Sequence, residues 1–102
     1  MNNSEERVAR IIDVIRSLRE GEVATYGDIA DDAGFPRHSR LVGQILARTD
    51  DDLPWWRVVN SVGRLVPGNE FEQVALLKAE GVKCEHGKVR RALYGRFARP
   101  RV

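Results

Sequence analysis

Pro54 is followed by two adjacent tryptophans, Trp55 and Trp56, and then by Arg57, Val58 and Val59. An indole is a poor nucleophile and its N–H only donates, so this pair points to binding or packing rather than to bond-making chemistry. Adjacent tryptophans ordinarily serve as packing residues. The chain's one thiol, Cys84, has no partner in 102 residues, so it forms no internal disulfide and a cysteine-based metal site is not expected. A second group of interest runs from Arg37 to Arg48. Opposite an apolar stripe of Leu41, Val42, Ile45 and Leu46 lie Arg40, Gly43, Gln44 and Ala47, with Arg37 and Arg48 at the edges. Small residues let a helix backbone come close to another surface, and arginines at its border can meet phosphates or enter a base stack. Helix–helix packing through Gly43 and Ala47 would explain the same small residues.

Charge is unevenly distributed. The net charge is only +2, yet Lys83 to Arg101 holds seven basic residues against Glu85 alone, and Glu22 to Asp32 holds four acidic residues and no basic one. A basic tail suggests a polyanionic partner, although a solubilising terminus would look alike.

The elements that must position these groups can be read from periodicity and punctuation. Val8, Ile11, Ile12, Ile15 and Leu18 predict a first helix over about residues 5–19, capped by Ser4 and stopped by Gly21. Thr25 and Asp28 form a capping-box pattern for a short second helix ending at Gly34, and Pro36 stands as the first position of a third helix running to about Arg48. Two helices around a tight turn outline a helix-turn-helix, which also occurs in proteins that never touch DNA. Trp55–Val59 and Arg64–Val66 predict two short strands around a turn. Phe71, Val74, Ala75, Leu77 and Lys78 continue as a fourth helix ending at Gly81, and Gly87 marks a turn in the basic tail. This is a mainly α chain with a small β-hairpin wing, expected as one domain over residues 1–102 with a basic tail over 83–102. With 42% hydrophobic and 31% charged residues it has an ordinary globular composition. The charged first twenty residues exclude a secretory signal, and no stretch approaches a membrane span; a reducing, cytoplasmic setting is expected.

Four segments in register resemble the C-terminal domain of the O6-alkylguanine-DNA alkyltransferases, over roughly residues 5–82. They are Gly21 through Gly27, Pro36 through Arg40 with Val42-Gly43, Pro54 with Arg57-Val58-Val59, and Leu76 through Gly81. The resemblance implies a winged helix-turn-helix fold. In that family a Pro-Cys-His-Arg signature carries the acceptor cysteine and a histidine linked through water to a glutamate. Here Trp55 stands at the cysteine position, Trp56 at the histidine position, and Glu80 matches the glutamate. The pattern resembles the alkyltransferase-like proteins, which bind the lesion without repairing it and mark it for nucleotide excision repair.

By that resemblance the chain is not an enzyme, uses no cofactor or metal, and works as a monomer on double-stranded DNA containing O6-alkylguanine, with nucleotide excision repair proteins as further partners and no membrane. Tyr26, Arg37, Arg40, Gly43, Gln44 and Arg48 would contact DNA: Tyr26 pressing on the phosphate beside the target, Arg40 filling the gap left by the flipped nucleotide, and the third helix in the minor groove. Pro54, Trp55, Trp56, Arg57, Val58 and Ser61 would form the lesion pocket, with Trp55 as its floor. Two other readings remain. A winged-helix transcription regulator would read base edges in the major groove, for which only Arg40 and Gln44 reach out centrally. An active transferase would have to use Cys84, which lies outside the matched motif.

Overall fold

The computed structural model describes residues 3–98 of the chain. Helix α1 (Asn3–Ser17) buries Ile11 and Ile15 completely. It begins before Ser4, so Ser4 is helical rather than a cap, while Glu5 and Glu6 still place negative charge in the first turn, where the helix dipole favours it. Strand β1 (Glu22–Thr25) follows, and its last residue caps helix α2 (Tyr26–Asp32). The expected capping box forms: the Asp28 amide donates to Thr25 Oγ1 at 3.0 Å and the Thr25 amide donates to Asp28 Oδ2 at 3.1 Å.

Helix α3 (Ser39–Arg48) starts three residues later than Pro36 suggested. Arg37 adopts a left-handed backbone (φ 75°), which no helix can continue through, so Pro36 belongs to the preceding turn. His38 braces that turn, its ring nitrogens lying 3.1 Å from Arg7 Nη1 and 3.2 Å from the Pro36 carbonyl. A single 3₁₀ turn over Trp55–Arg57 leads into strand β2 (Val58–Val59).

The hairpin expected between residues 55 and 66 does not form. Strand β2 pairs in parallel with β1 instead, Ala24 opposite Val58 and Thr25 opposite Val59. Asn60 explains the departure. Its side-chain oxygen accepts from the amides of Val62 (3.0 Å) and Arg64 (2.8 Å), closing a tight turn beyond which the chain bonds around Gly87 instead, the Gly63 carbonyl accepting from the Val89 amide (2.8 Å) and the Leu65 amide donating to the Gly87 carbonyl (3.0 Å). Helix α4 (Glu70–Ala79) then leads to strands β3 (Lys83–Glu85) and β4 (Lys88–Arg91), antiparallel around Gly87, and these make the wing. The predicted turn at Gly87 is present, but the tail it belongs to is folded as far as residue 98. Strand β5 (Tyr94–Gly95) pairs in parallel with the other edge of β1. The chain is close-packed there: Gly95 has φ 83°, and a Cβ on it would stand 2.7 Å from the Val23 carbonyl. Residues 99–102 of the expected tail lie outside the described residues.

Side chains on a strand alternate between faces, and this small sheet uses the alternation to divide two cores. Ala24 and Val58 face a core built with Ile11, Ile15, Ile29, Val42 and Ile45 from α1, α2 and α3. Val23 and Val59 face the other way, onto Leu65, Leu77, Val82, Val89 and Ala92. The helix-turn-helix therefore rests on one side of the sheet, and α4 with the wing on the other.

Candidate nucleic-acid interface

The third helix presents part of the face read from its sequence. Val42 and Ile45 are buried, Arg40, Gln44, Ala47 and Arg48 are exposed, and Gly43 is half-buried against the Tyr26 ring, 3.8 Å from where a Cβ would stand. Beside this face a cavity of about 490 Å³ opens, lined by Tyr26, Gly43, Leu46, Ala47, Trp55, Val66, Asn69 and Glu72. That volume is in the range of sites that enclose a small aromatic ligand. The indole of Trp55 supplies a flat wall. Burial pushes the Tyr26 phenol above its ordinary pKa, so it stays a protonated O–H donor at neutral pH. Among the described residues no cysteine or histidine lines this cavity.

Trp56 turns away from its neighbour, the two rings meeting edge to face at 6.3 Å, and packs against the second core. Its Nε1–H donates to Glu80 Oε2 at 2.7 Å. The same carboxylate accepts from Arg57 Nε (3.0 Å) and Nη2 (2.7 Å) and from the Gly21 amide (3.0 Å), while Arg57 Nη1 donates to the Leu18 carbonyl at 2.8 Å. Both side chains are nearly buried, Arg57 14% and Glu80 7% exposed. Burial alone would raise the Glu80 pKa, but the bonds from Arg57, Gly21 and Trp56 outweigh it and hold the carboxyl below its usual range. This cluster ties α1, β1, the 3₁₀ turn and α4 together behind the cavity.

The profile of the family "6-O-methylguanine DNA methyltransferase, DNA binding domain" matches residues 6–82. The chain belongs to this family. Among methyltransferase-domain relatives, a "DNA base-flipping protein" of Vibrio parahaemolyticus is 39% identical over 87 residues, covering 80% of this chain and 87% of the relative. Another of the same name in Escherichia coli is 44% identical over 78 residues, covering 72% of this chain and 60% of that one. The crystal structure of Schizosaccharomyces pombe Atl1 in complex with damaged DNA containing O6-carboxymethylguanine superimposes with a TM-score of 0.74 at 31% identity, covering 87% of this chain and 90% of that one. The winged helix-turn-helix architecture is thus that of the methyltransferase DNA-binding domain.

Within this family fold the structure gathers some of the expected residues and separates others. Tyr26, Gly43 and Trp55 meet at the cavity; Arg40 and Arg48 lie exposed on α3, and Arg37 on the turn before it. Gln44 and Arg48 line a separate, mostly apolar groove between α1 and α3. Of the other residues expected around the lesion, Trp56 and Arg57 belong to the Glu80 cluster, Val58 is a fully buried core residue, Pro54 precedes the 3₁₀ turn, and Ser61 is exposed in the Asn60 turn. The cavity's far wall comes from Val66, Asn69 and Glu72, which short-range pattern could not connect to Trp55.

Gln73 was also missed. It is fully buried, its Oε1 accepting from the Val66 amide at 2.7 Å and its Nε2 donating to the carbonyls of Trp56 (3.1 Å) and Val58 (3.2 Å). That one amide ties the loop at Val66, which lines the cavity, to the tryptophan turn. Cys84 sits on β3, packed against the second core and not on the cavity wall, and burial pushes its thiol up. Such a thiol is poorly placed and poorly ionised for alkyl transfer. Among the described residues no group of three His, Cys, Asp or Glu side chains could hold a metal.

Proposed function

We propose that this protein binds O6-alkylguanine in double-stranded DNA by rotating the damaged nucleotide into the cavity beside α3, and leaves the alkyl group in place for nucleotide excision repair. One observation carries the reading: a cavity walled by the Trp55 indole opens next to a helix face that is small, arginine-edged and free of acid. Flipping costs a few kcal/mol, least for a damaged base, and stacking on an aromatic ring returns roughly 1–3 kcal/mol. Tyr26, at the cavity rim, would donate to the phosphate beside the target, and Arg40 would fill the vacated stack.

Trp55 and Trp56 stand, in this reading, where active relatives carry the acceptor cysteine and its histidine. With a protonated Tyr26 phenol and the Glu72 carboxylate as the only ionisable groups on the wall among the described residues, no thiol is available there to take the alkyl group. The chain therefore binds without turnover. Against otherwise identical duplexes, O6-methylguanine should bind at least ~10-fold tighter than guanine, because the damaged base is less well paired and costs less to rotate out, and a difference of about 1.4 kcal/mol is tenfold in affinity. A radiolabelled methyl group should remain on the DNA after prolonged incubation. Equal binding of the two duplexes, or label recovered on Cys84, would sink the proposal.

The third helix provides a second test. Arg40→Ala should weaken lesion binding more than Arg48→Ala, because the first is assigned to the base stack and the second only to the border. Equal losses would leave Arg40 as one phosphate contact among several.

A further inference from the structure

The polar part of the cavity wall carries a single formal charge. Glu72 lines the cavity, is solvent-accessible, and makes no hydrogen bond or ion pair among the described residues. Its neighbour Glu70 is already engaged, accepting from the Gly68 amide at 2.8 Å. The other polar groups lining the cavity, Asn69 and the neutral Tyr26 phenol, add no charge, and Asn69 makes no side-chain capping bond. Among the described residues no Lys or Arg lines the cavity. The first turn of α4 contributes a positive end, but a helix terminus amounts to about half an elementary charge, so a whole carboxylate in the same turn leaves the wall net negative.

Resting on the lesion-binding reading above, we propose that Glu72 selects among O6-alkylguanines by charge: neutral substituents, and those carrying hydrogen-bond donors, are accepted in preference to anionic ones. An alkyl group presents nothing for the carboxylate to repel, and a hydroxyl or ammonium gives it a partner. A carboxymethyl group brings a second negative charge against it in a cavity open to solvent, where the repulsion is modest and falls with salt. The methyl and carboxymethyl lesions differ by one carboxylate, which makes them the natural pair to compare.

Binding should be measured by fluorescence anisotropy on three duplexes of one sequence, carrying guanine, O6-methylguanine or O6-carboxymethylguanine, at two salt concentrations. The wild-type protein should favour methyl over carboxymethyl by roughly fivefold at low salt, the size expected for one partly solvated charge pair, and by less at high salt. Glu72→Gln should bring the two lesions within about twofold, chiefly by tightening the carboxymethyl duplex, and Glu72→Lys should reverse the order, since the sign of the pair changes. A wild-type protein that binds both lesions equally, or variants that leave the ratio unchanged, would overturn the assignment of Glu72. If neither lesion is distinguished from guanine, the lesion-binding reading itself fails, and that result is separate from a ratio near one between two tightly bound lesions.

Discussion

A chain ended at Gly87 should lose cooperative unfolding altogether. Its missing residues carry charges that suggested an appendage, yet Val89 and Ala92 are buried in the second core, and β5 completes the pairing of β1. Truncation removes the bonds from the Val89 amide to Gly63 (2.8 Å) and from the Leu93 and Tyr94 amides to Gly21 (2.9 and 3.1 Å). It also frees Asp28, which accepts from Arg96 Nε at 3.0 Å across the fold. Burial of a single valine contributes roughly 1.5–3 kcal/mol, and a whole domain is stable by only about 5–15 kcal/mol. Losing a strand edge, a hairpin arm and part of a core together should exceed that margin. Urea melts followed by circular dichroism check it. A sharp transition in the truncated chain would mean that the helix-turn-helix half folds alone, and its DNA affinity could then be read as the effect of charge.

Replacing the carboxylate behind the cavity should be nearly as severe. Glu80→Gln keeps the shape of the side chain but leaves Arg57 buried without an anion, and breaking one half of a buried pair costs about 3–5 kcal/mol. The pH dependence follows from the direction of the shift. A carboxyl held below its unfolded value stabilises the fold above the ordinary glutamate range and loses that contribution as pH falls through the folded value. The wild-type and Glu80→Gln stabilities should therefore differ most at neutral pH and converge below about pH 4. Asp28 is lowered as well, chiefly by its bonds from Arg96, so the variant keeps some acid sensitivity of its own. Urea midpoints between neutral and acid pH test this, and two curves that run parallel all the way down would assign the linkage elsewhere.

Local signals were legible wherever a residue's own backbone or its near neighbours decide the outcome. The Thr25–Asp28 capping box, the faces of α1 and α3 and the turn at Gly87 rest on contacts a few residues apart. What escaped depends on distant partners. Val58-Val59 is a strand as its composition predicts, but its partner is β1, and the residues expected to return to it from the Asn60 turn bond to Gly87 and its neighbours instead. Apolar pattern alone also misjudges α4. Phe71, counted with its apolar residues, is 94% exposed, whereas Gln73 is fully buried because three backbone groups from other segments satisfy its amide. Trp55 could be singled out by its position, but not the wall opposite it, since Asn69 and Glu72 reach the cavity only after Gln73 has fixed the intervening loop.

The central strand is bordered by partners from far along the chain, Val58 on one side and Tyr94 on the other. As the protein is synthesised, the first edge of β1 can be paired once Val59 has left the ribosome, while the second edge stays bare until Tyr94 and Gly95 follow. At ordinary elongation rates that interval is on the order of a few seconds. During it a row of unpaired backbone groups on β1 is open to any passing strand, so protection of nascent chains from protease should arise late and abruptly, as Gly95 emerges, rather than grow with each helix.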